Sequence, residues 1–580
     1  MIRRLAKSVR EFKKPAILTL IFIVLEAVIE TFIPFVTAMM VEKIEAGVDI
    51  GEIIKIGLLL ILMAVLSLSC GGAAGYTCAK ASAGFSRNLR YDLFSKIQTF
   101  SFKNIDKFST SSLITRLTTD VGQVQMSFMM IIRIAVRAPL MLIFSIIMTF
   151  VMGGQLAWAF IAITIPLSIG LVLIARFALP TFRRVFKKYD KMNESIEENV
   201  RGMRVVKGFA REEYEKQKFD AASDAIRRDF TKAEKIVAWN SPLMQFCVYA
   251  NMIVIMLIGS KLVISSGGTT MNVETMSALL TYGMQILMQF MMLSMIYVML
   301  TISAESARRI NEVLVEEPTL KNPENPVMTV ADGSIDFENV GFKYSENAEA
   351  YALSDVNLHI GSGMTVGILG GTGSSKSTLV QLIPRLYDTS TGTVKVGGVD
   401  VRDYDMETLR SSVAMVLQKN VIFSGTIKEN LLWGNPNATD EEIVAACKLA
   451  QADEFINSFP GGYDSVIEQG GTNVSGGQKQ RLCIARALIK KPKIIILDDS
   501  TSAVDTKTDA LIREGFKSYI PETTKIIIAQ RVASVMESDM ILVMDGGKIV
   551  ASGTHDELMN TCDIYKEVYE QQTNGGDFDD

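Results

Sequence analysis

The first half of this 580-residue chain contains six long apolar stretches with few charges. They cover approximately residues 15–40, 53–77, 126–152, 156–179, 242–264 and 273–302. An α-helix needs roughly 20 mostly apolar residues to cross a bilayer. Since a spanning segment must satisfy its backbone hydrogen bonds internally, the stretches predict six membrane-spanning helices, in contact with membrane lipid. The first stretch is too long for a cleavable signal peptide and lacks a small-residue cleavage site.

Basic residues are concentrated on one side of the predicted spans. The N-terminal segment 1–14 and the long connections 80–125 and 180–241 are rich in lysine and arginine. The connections that carry almost no positive charge are short and lie at 41–52, 153–155 and 265–272. Because lysine and arginine accumulate in cytoplasmic loops, we expect a multi-pass membrane protein whose basic side faces the cytoplasm. Both termini and both long connections would then be cytoplasmic.

The composition excludes several other classes of protein. Hydrophobic residues make up 48% and charged residues 21%, and a normal globular composition begins only in the second half. The net charge of −4 provides no basic surface for nucleic acid, so no nucleic-acid partner is expected. The six cysteines form no CxxC pair or disulfide framework, and with only His359 and His555 a zinc site is not expected.

Residues 370–377 read Gly-Gly-Thr-Gly-Ser-Ser-Lys-Ser and follow an apolar strand at 365–369. A strand, such a loop and a following helix are the setting of a phosphate-binding P-loop. Backbone N–H groups and the helix N-terminus cradle phosphate there, the lysine reaches the terminal phosphates, and the last serine can ligate Mg²⁺. The predicted nucleotide-binding residues of this loop are Gly370, Gly371, Thr372, Gly373, Ser374, Ser375, Lys376, Ser377 and Thr378.

One position of the loop departs from the pattern. Ser375 stands before Lys376, where the pattern has glycine. A side chain there crowds a loop that needs close backbone approach. We therefore expect weaker or altered nucleotide binding, but not its loss.

Two further segments contain groups that bind a nucleotide. A buried strand at 493–497 ends in Asp498 and Asp499, and a carboxylate placed after such a strand can hold Mg²⁺ through water. Downstream of a P-loop, this is a Walker B pattern. The phrase Val-Ser-Gly-Gly-Gln at 474–478 opens a helix, where Ser475 and the amides of Gly476 and Gly477 form an anion site.

Together these segments resemble the nucleotide-binding domain of an ATP-binding cassette (ABC) transporter. With the six spans, the resemblance covers nearly the whole chain and indicates an ABC exporter half-transporter. It implies a membrane α-helical domain of six helices with long cytoplasmic extensions, followed by an α/β P-loop ATPase domain. The expected organisation is a membrane domain (1–302) with two coupling loops, a linker (303–329), a nucleotide-binding domain (330–571) and an acidic, disordered tail (572–580).

The resemblance also implies roles for single residues. Tyr344 resembles the aromatic residue that stacks on adenine, and Gln418 resembles the Q-loop glutamine, which senses Mg²⁺ and contacts the membrane domain. Asp505 resembles the D-loop aspartate that couples the two ATP sites of the dimer. The signature residues Ser475, Gly476, Gly477 and Gln478 would face ATP held by the opposite subunit. Segments 106–120 and 198–209 resemble intracellular loops, whose short transverse helices dock on nucleotide-binding domains.

Two positions depart from the family at the point where water attacks. Asp499 stands where a glutamate is usual, so its carboxylate is retracted by about 1.5 Å. Gln530 stands where a switch histidine is usual, and an amide cannot shuttle a proton. An error of ~1 Å in positioning can cost on the order of 100-fold in rate. The site built on this chain's Walker motifs is therefore expected to bind ATP and Mg²⁺ and to hydrolyse ATP slowly.

The intact signature next to this altered Walker side indicates a heterodimer. In a homodimer both sites would combine a good signature with a poor Walker side. A different half-transporter with intact glutamate and histidine would instead give one active and one degenerate site. We therefore predict such a partner chain, with the degenerate site retaining ATP through several turnovers.

The sequence offers limited evidence about the substrate. The sixth span carries methionines that can adapt to varied apolar ligands or simply pack against other helices: Met284, Met288, Met291, Met292, Met295 and Met299, accompanied by Gln285 and Gln289. Glu26 and Glu30 in the first span would attract cationic compounds or, for Glu30, lie at the outer headgroups. Arg133 and Arg137 are expected to snorkel toward the cytoplasmic headgroups.

Three functions remain open at this point. The favoured one is ATP-driven export of amphiphilic compounds, of the multidrug type. A second is transport of another cargo, such as a lipid, peptide or metal chelate, or transport in the other direction. A third is a nucleotide-gated channel or regulator, for which the degenerate site would serve as a sensor. The six spans exclude a soluble cassette ATPase.

Overall fold

The computed structural model describes residues 1–266, 271–346, 348–499 and 506–574. The chain divides into two compact units. The helical unit comprises Met1–Thr99 and Phe108–Glu316, and the α/β unit comprises Phe100–Lys107 and Glu317–Asp580. A short piece of the first half of the chain, Phe100–Lys107, thus belongs with the second half.

Long helices build the helical unit. The helices of the first half are α1 (Ile2–Leu5), α2 (Lys13–Glu45), α3 (Ile50–Gln98), α4 (Phe102–Lys107, in the α/β unit), α5 (Thr110–Thr115), α6 (Val121–Gly153), α7 (Ala157–Arg201), α8 (Met203–Gly208), α9 (Glu212–Ala238), α10 (Asn240–Ser266) and α11 (Val273–Val315). Among the described residues, six helical segments are long and apolar enough to cross a membrane, as predicted. At 1.5 Å per residue, the 49 residues of α3 extend far beyond a hydrocarbon core of about 30 Å.

Polar and aromatic contacts connect distant helices inside the helical unit. Tyr282 of α11 is fully buried, and its hydroxyl donates a hydrogen bond of 2.7 Å to the carbonyl of Thr31 in α2. Phe85 of α3 stacks on Phe128 of α6 at a centroid distance of 4.6 Å. A buried tyrosine needs such a partner because an unpaired hydroxyl in an apolar environment is costly.

The predicted end of the membrane domain, at residue 302, falls inside α11, which continues to Val315. Charged residues follow the apolar span, and they suit a helix in water: Arg308 pairs with Glu305 and Glu312 along one face. The predicted linker 303–329 therefore overlaps the end of α11. The first residues of the predicted tail, 572–574, are helical in α20 (Asp563–Asn574), and residues 575–580 lie outside the described part of the chain.

The α/β unit contains three sheets. Its strands are β1 (Ile335–Phe342), β2 (Leu353–Ile360), β3 (Thr365–Leu369), β4 (Thr391–Val396), β5 (Val399–Asp400), β6 (Val413–Val416), β7 (Gly425–Thr426), β8 (Val466–Ile467), β9 (Ile494–Asp498), β10 (Thr524–Ile528), β11 (Met540–Asp545) and β12 (Lys548–Gly553). Its further helices are α12 (Lys376–Gln381), α13 (Met406–Ser412), α14 (Ile427–Leu431), α15 (Asp440–Leu449), α16 (Asp453–Ser458), α17 (Gly476–Ile489), α18 (Thr506–Tyr519), α19 (His555–Thr561) and α20.

The main sheet has the order β12-β11-β3-β10-β9-β6. All its neighbouring pairs are parallel except β11 with β12. Every residue of β9 and β10 is buried, as expected for central strands covered on both faces. A second, antiparallel sheet has the order β2-β1-β4-β5. The predicted fold class, six apolar helices followed by an α/β domain, is confirmed.

Candidate functional site

Most of the predicted site residues follow neighbouring strands of the main sheet. The P-loop follows β3, Asp498 ends β9 and Asp499 comes next, Gln530 comes shortly after β10, and Gln418 comes shortly after β6. These strands are adjacent and parallel, and Ile528 of β10 pairs with both Ile368 and Asp498. Ligands of open α/β sheets bind at this carboxyl edge. The sheet therefore brings the predicted Walker residues to one place.

The backbone of the P-loop requires small residues. A Cβ at Gly370 would approach the carbonyl oxygen of Met544 to 2.3 Å, and Gly373 has a φ of +86°. Ser375 has a φ of +70° although it is not glycine. A side chain in this left-handed region costs roughly 1–2 kcal/mol. The departure at Ser375 thus strains the backbone of the loop, a more specific effect than the crowding expected from the sequence.

Lys376 begins α12 and turns back onto the loop. Its ammonium donates to the carbonyls of Gly370 and Gly371, at 2.7 and 2.8 Å. Burial lowers the pKa of Lys376, and the nearby carboxylates of Asp498 and Asp499 oppose that shift. The partners of the lysine are carbonyl oxygens, and phosphate oxygens are acceptors of the same kind. The ammonium could therefore donate to a phosphate instead.

Ser377 and Asp498 form the second part of the site. The Ser377 hydroxyl donates to Oδ1 of Asp498 at 3.1 Å, which brings two oxygen ligands together next to the P-loop. Asp498 is buried, and burial raises the pKa of its carboxyl. A desolvated carboxylate beside a hydroxyl is a donor set that fits Mg²⁺, a cation that prefers oxygen ligands. The residues present therefore fit a nucleotide with its metal.

Asp499 accepts hydrogen bonds from both predicted neighbours. Nε2 of Gln530 donates to its Oδ2 at 2.9 Å, and Nε2 of Gln418 approaches the same oxygen at 3.4 Å. Its own N–H donates to the carbonyl of Ile528 at 3.0 Å, and its φ is +48°. The Asp499 carboxylate is thus held by the amide of Gln530.

The two histidines of the chain lie elsewhere. His359 is on β2, and its Nδ1 lies 2.5 Å from Asp336. His555 begins α19, and its Nδ1 lies 2.7 Å from the hydroxyl of Tyr565. Each ring therefore has a local partner of its own, and neither histidine is among the residues that bond to Asp499. Asp505, the expected D-loop residue, lies outside the described residues.

The signature segment forms the start of α17. The Ser475 hydroxyl accepts a hydrogen bond from the N–H of Gln478, and the Gln478 side chain accepts one from the N–H of Ser475. This capping box satisfies two backbone donors at the helix start. Ser475 and Gly476 are exposed, and Gly477 is half-buried. These bonds involve none of the P-loop residues, so the helix start presents its amides as a separate surface.

Tyr344 follows β1 and lies beside the P-loop helix. Its hydroxyl is 2.8 Å from that of Thr378 in α12. Its ring packs edge-on against Phe342 and Tyr387, at centroid distances of 4.9 and 5.4 Å. The side chain nevertheless remains 47% exposed. An aromatic ring that is fixed on one side and open on another suits stacking on a base.

The expected snorkelling of Arg137 is wrong, because this residue pairs with the two glutamates of α2. Its Nη2 lies 2.5 Å from Glu30, and its Nε lies 3.5 Å from Glu26. The hydroxyl of Ser67 in α3 also lies 3.5 Å from Glu30. Glu26 and Arg137 each stand about eleven residues into their predicted spans. Their similar depth in the membrane is the feature of the sequence from which this pairing could have been predicted. The glutamates are thus partly neutralised inside the helical unit.

Comparisons with known proteins agree with this architecture. The model of the ABC transporter transmembrane region matches residues 16–290, and the ABC transporter model matches residues 353–502. The chain is 37% identical to "Uncharacterized ABC transporter ATP-binding protein YfiB" of Bacillus subtilis (strain 168) over 556 residues, 96% of each chain. It is 34% identical to "Uncharacterized ABC transporter ATP-binding protein Rv1273c" of Mycobacterium tuberculosis (strain ATCC 25618 / H37Rv), over 99% of this chain and 98% of that relative.

A solved structure, "Structure of a bacterial Atm1-family ABC exporter with ATP bound", superimposes with a TM-score of 0.83. The alignment covers 96% of this chain and 98% of that one at 23% identity, so it shows the fold. The two family matches place a transmembrane region and an ATP-binding domain in one polypeptide, in the order of the helical and α/β units. The chain therefore belongs to the ABC transporters, as a multi-pass half-transporter whose ATPase is coupled to transport.

Proposed function

We propose that this chain is one half of a heterodimeric exporter of amphiphilic compounds in the plasma membrane, with the α/β unit and both termini in the cytoplasm. In this proposal it supplies the Walker side of a degenerate ATP site and the signature of the active site. The observation that carries the proposal is the bond between Gln530 and Asp499, at 2.9 Å. The bond supports the proposal because an amide and a short carboxylate that engage each other are a poor substitute for the general base that hydrolysis needs.

When bound, ATP with Mg²⁺ supplies the phosphoryl group whose hydrolysis drives transport. The P-loop amides and Lys376 bind the phosphates, and Ser377 and Asp498 hold the cation. Asp499 is the group next to the attacking water, and its carboxylate is already engaged by Gln530. The amide cannot take a proton from water, so hydrolysis at this site is slow and the bound ATP is retained for a long time.

Exposed apolar side chains on and just after a short helix of the helical unit support a dimer. Val205 of α8 is 61% exposed, and Phe209, which follows α8, is 77% exposed. Exposed apolar residues grouped in this way mark interaction sites. The family resemblance assigns to this segment a short transverse helix that docks on a nucleotide-binding domain.

A groove in the α/β unit is the proposed docking site for such a helix. It has a volume of about 310 Å³ and is lined by Leu417, Phe423, Trp433 and Arg486, among others. Phe423 and Trp433 stack at 4.4 Å and yet remain exposed. In the proposed dimer, a transverse helix of the partner subunit occupies this groove, next to Gln418.

The proposed substrate class rests on α11. The six methionines named above stand at helical spacing on one face and are 37–57% exposed. Flexible thioether side chains re-pack around varied apolar ligands. Gln285 adds a polar group and accepts a hydrogen bond from Ser145 at 3.1 Å. Apolar adaptability with a few polar groups is what an amphiphilic cargo requires.

The deciding experiment is the subunit composition of the complex isolated from its native membrane through a tag on this chain. An equal amount of a second half-transporter, with glutamate and histidine at the positions of Asp499 and Gln530, is expected. An active complex that contains this polypeptide alone would refute the heterodimer. Efflux and uptake of a fluorescent amphiphile in oriented vesicles test the direction, and ionic current without ATP would indicate a channel instead.

A further inference from the structure

Helix α4 is anchored in the α/β unit by a buried side chain. The Asn104 carbonyl oxygen accepts hydrogen bonds from the N–H of Ser101 and of Thr319, both at 3.2 Å. Its amide nitrogen donates to the carbonyl of Glu317 at 3.0 Å. Asn104 is 1% exposed. These bonds hold α4 against the segment that leads from α11 to β1, so a movement of α4 is tied to that segment.

Tyr387, which lies shortly after α12, is the aromatic residue that α4 contacts. Its hydroxyl donates a hydrogen bond of 2.7 Å to Oδ2 of Asp106, and Phe102 meets its ring edge-on at 6.0 Å. Tyr387 is 8% exposed. Burial and the carboxylate of Asp106 raise the pKa of Tyr387, so the phenol stays protonated and donates throughout the physiological range.

The same ring contacts the adenine side of the nucleotide site. Tyr344 meets Tyr387 edge-on at 5.4 Å with an interplanar angle of 87°. The hydroxyl of Tyr344 in turn lies 2.8 Å from that of Thr378 in the P-loop helix. Direct contacts therefore run from Thr378 through Tyr344 and Tyr387 to Asp106 of α4.

We propose that Tyr387 is a positioning residue that reports occupancy of the base site to α4. Tyr344 is the half-exposed member of this set, and a purine base stacked on it would restrict its ring. Because rings packed edge to edge cannot turn independently, that restriction reaches Tyr387 and the bond to Asp106. The proposal requires ATP binding but neither the heterodimer nor a particular cargo.

The test measures amide hydrogen exchange in residues 100–107 of the whole complex in lipid nanodiscs, with and without saturating ATP. In the wild type, ATP is expected to slow exchange in α4 about fivefold, the effect of one ordinary hydrogen bond. In Tyr387→Phe the ring stays and the hydroxyl is lost, so this dependence on ATP is expected to disappear while ATP affinity changes less than about twofold.

A matched control removes another tyrosine–aspartate bond of the same unit. Tyr463→Phe deletes the 2.6 Å bond to Asp453 and should leave the effect of ATP on α4 intact. Asp106→Ala removes the same bond by deleting the acceptor. The double variant Tyr387→Phe/Asp106→Ala should lose no more of the ATP-dependent protection of α4 than either single variant does. Full protection of α4 by ATP in both single variants would overturn the proposal.

A ligand without a base separates this route from one through the phosphates. Inorganic tripolyphosphate offers the P-loop its phosphates and offers Tyr344 nothing to stack on. At saturation it should slow exchange in the P-loop but not in α4. Equal protection of α4 by tripolyphosphate and by ATP would show that the base is not the signal.

Discussion

The two ATP-facing surfaces of the α/β unit differ in how completely they are built. At the start of α17, the capping box of Ser475 and Gln478 is complete, and glycines follow it. At the carboxyl edge of the main sheet, the loop carries a left-handed serine at 375, and Asp499 is held by the amide of Gln530. In the proposed dimer, the surface that would face a partner's ATP thus has a regular helix start, while the chain's own Walker side combines unusual features at several positions.

The two surfaces place different geometric demands on the chain. A signature helix contributes backbone amides to an anion, and it needs only a helix start with small residues. A Walker side must also place water to within a fraction of an ångström. The two surfaces can therefore be separated by substitutions that damage one and spare the other.

The largest effect is expected from Gly477→Glu at the start of α17. A carboxylate placed among the amides of the helix start repels phosphate. We expect a roughly 100-fold loss of ATP turnover by the purified complex, comparable to the loss of an oxyanion donor. Asn560→Glu, which adds the same charge on the exposed face of α19, serves as the control and should leave turnover unchanged.

The next largest effect is a gain from Asp499→Glu combined with Gln530→His. The longer carboxylate reaches the water, and the imidazole can exchange a proton, so cleavage at this chain's own site should rise roughly tenfold. Release of phosphate from nucleotide occluded at that site measures it directly. An unchanged rate would mean that other features, and not these two side chains, make the site slow.

A smaller effect is expected from Ser375→Gly. Glycine adopts a φ of +70° without the penalty of a Cβ, which relieves strain of about 1 kcal/mol. If that strain is carried into the bound loop, affinity for a fluorescent ATP analogue should increase by up to about fivefold at this site. Ser374→Gly is the neighbouring control, and it should not tighten binding, because Ser374 donates to the carbonyl of Gly371 at 2.8 Å.

The smallest effect is expected from Asp499→Asn. In the proposed heterodimer, turnover occurs at the other site, so total ATPase activity should fall by less than about twofold. In a homodimer the same change removes, from both sites, the carboxylate expected next to the attacking water, and activity should collapse. Measured together with Gly477→Glu, this variant shows whether the two surfaces belong to a productive and an unproductive site.

Much of the nucleotide site followed from local sequence. The P-loop and the Asp498–Asp499 pair each follow an apolar strand, and parallel strands bring such residues to one edge. The prediction that Asp499 and Gln530 stand where the family has glutamate and histidine likewise rests on the sequence alone. The left-handed φ of Ser375 could not be predicted in the same way, because only the folded loop shows which backbone conformation is required at this position.

Long-range pairings were the part that sequence reasoning missed or misassigned. Arg137 was expected at the headgroups, yet it binds Glu30 across two helices separated by 107 positions in the chain. The position of α4 in the α/β unit, and the bond from Tyr387 to Asp106 across 281 positions, had no local signal either. An isolated tyrosine and an isolated aspartate have many possible partners, and their own neighbours do not choose among them.

Local sequence is enough to predict the six spans and the order of the two domains, which the structure and the family matches confirm. Hydrophobic length and strand-to-loop motifs carry these predictions, because both act over a few neighbouring residues. The folded chain alone reveals the bond from Gln530 to Asp499, the pairing of Arg137 with glutamates of α2 and the bond from Tyr387 to Asp106 of α4. Such contacts depend on how whole elements pack, and packing selects one partner from many that local sequence permits.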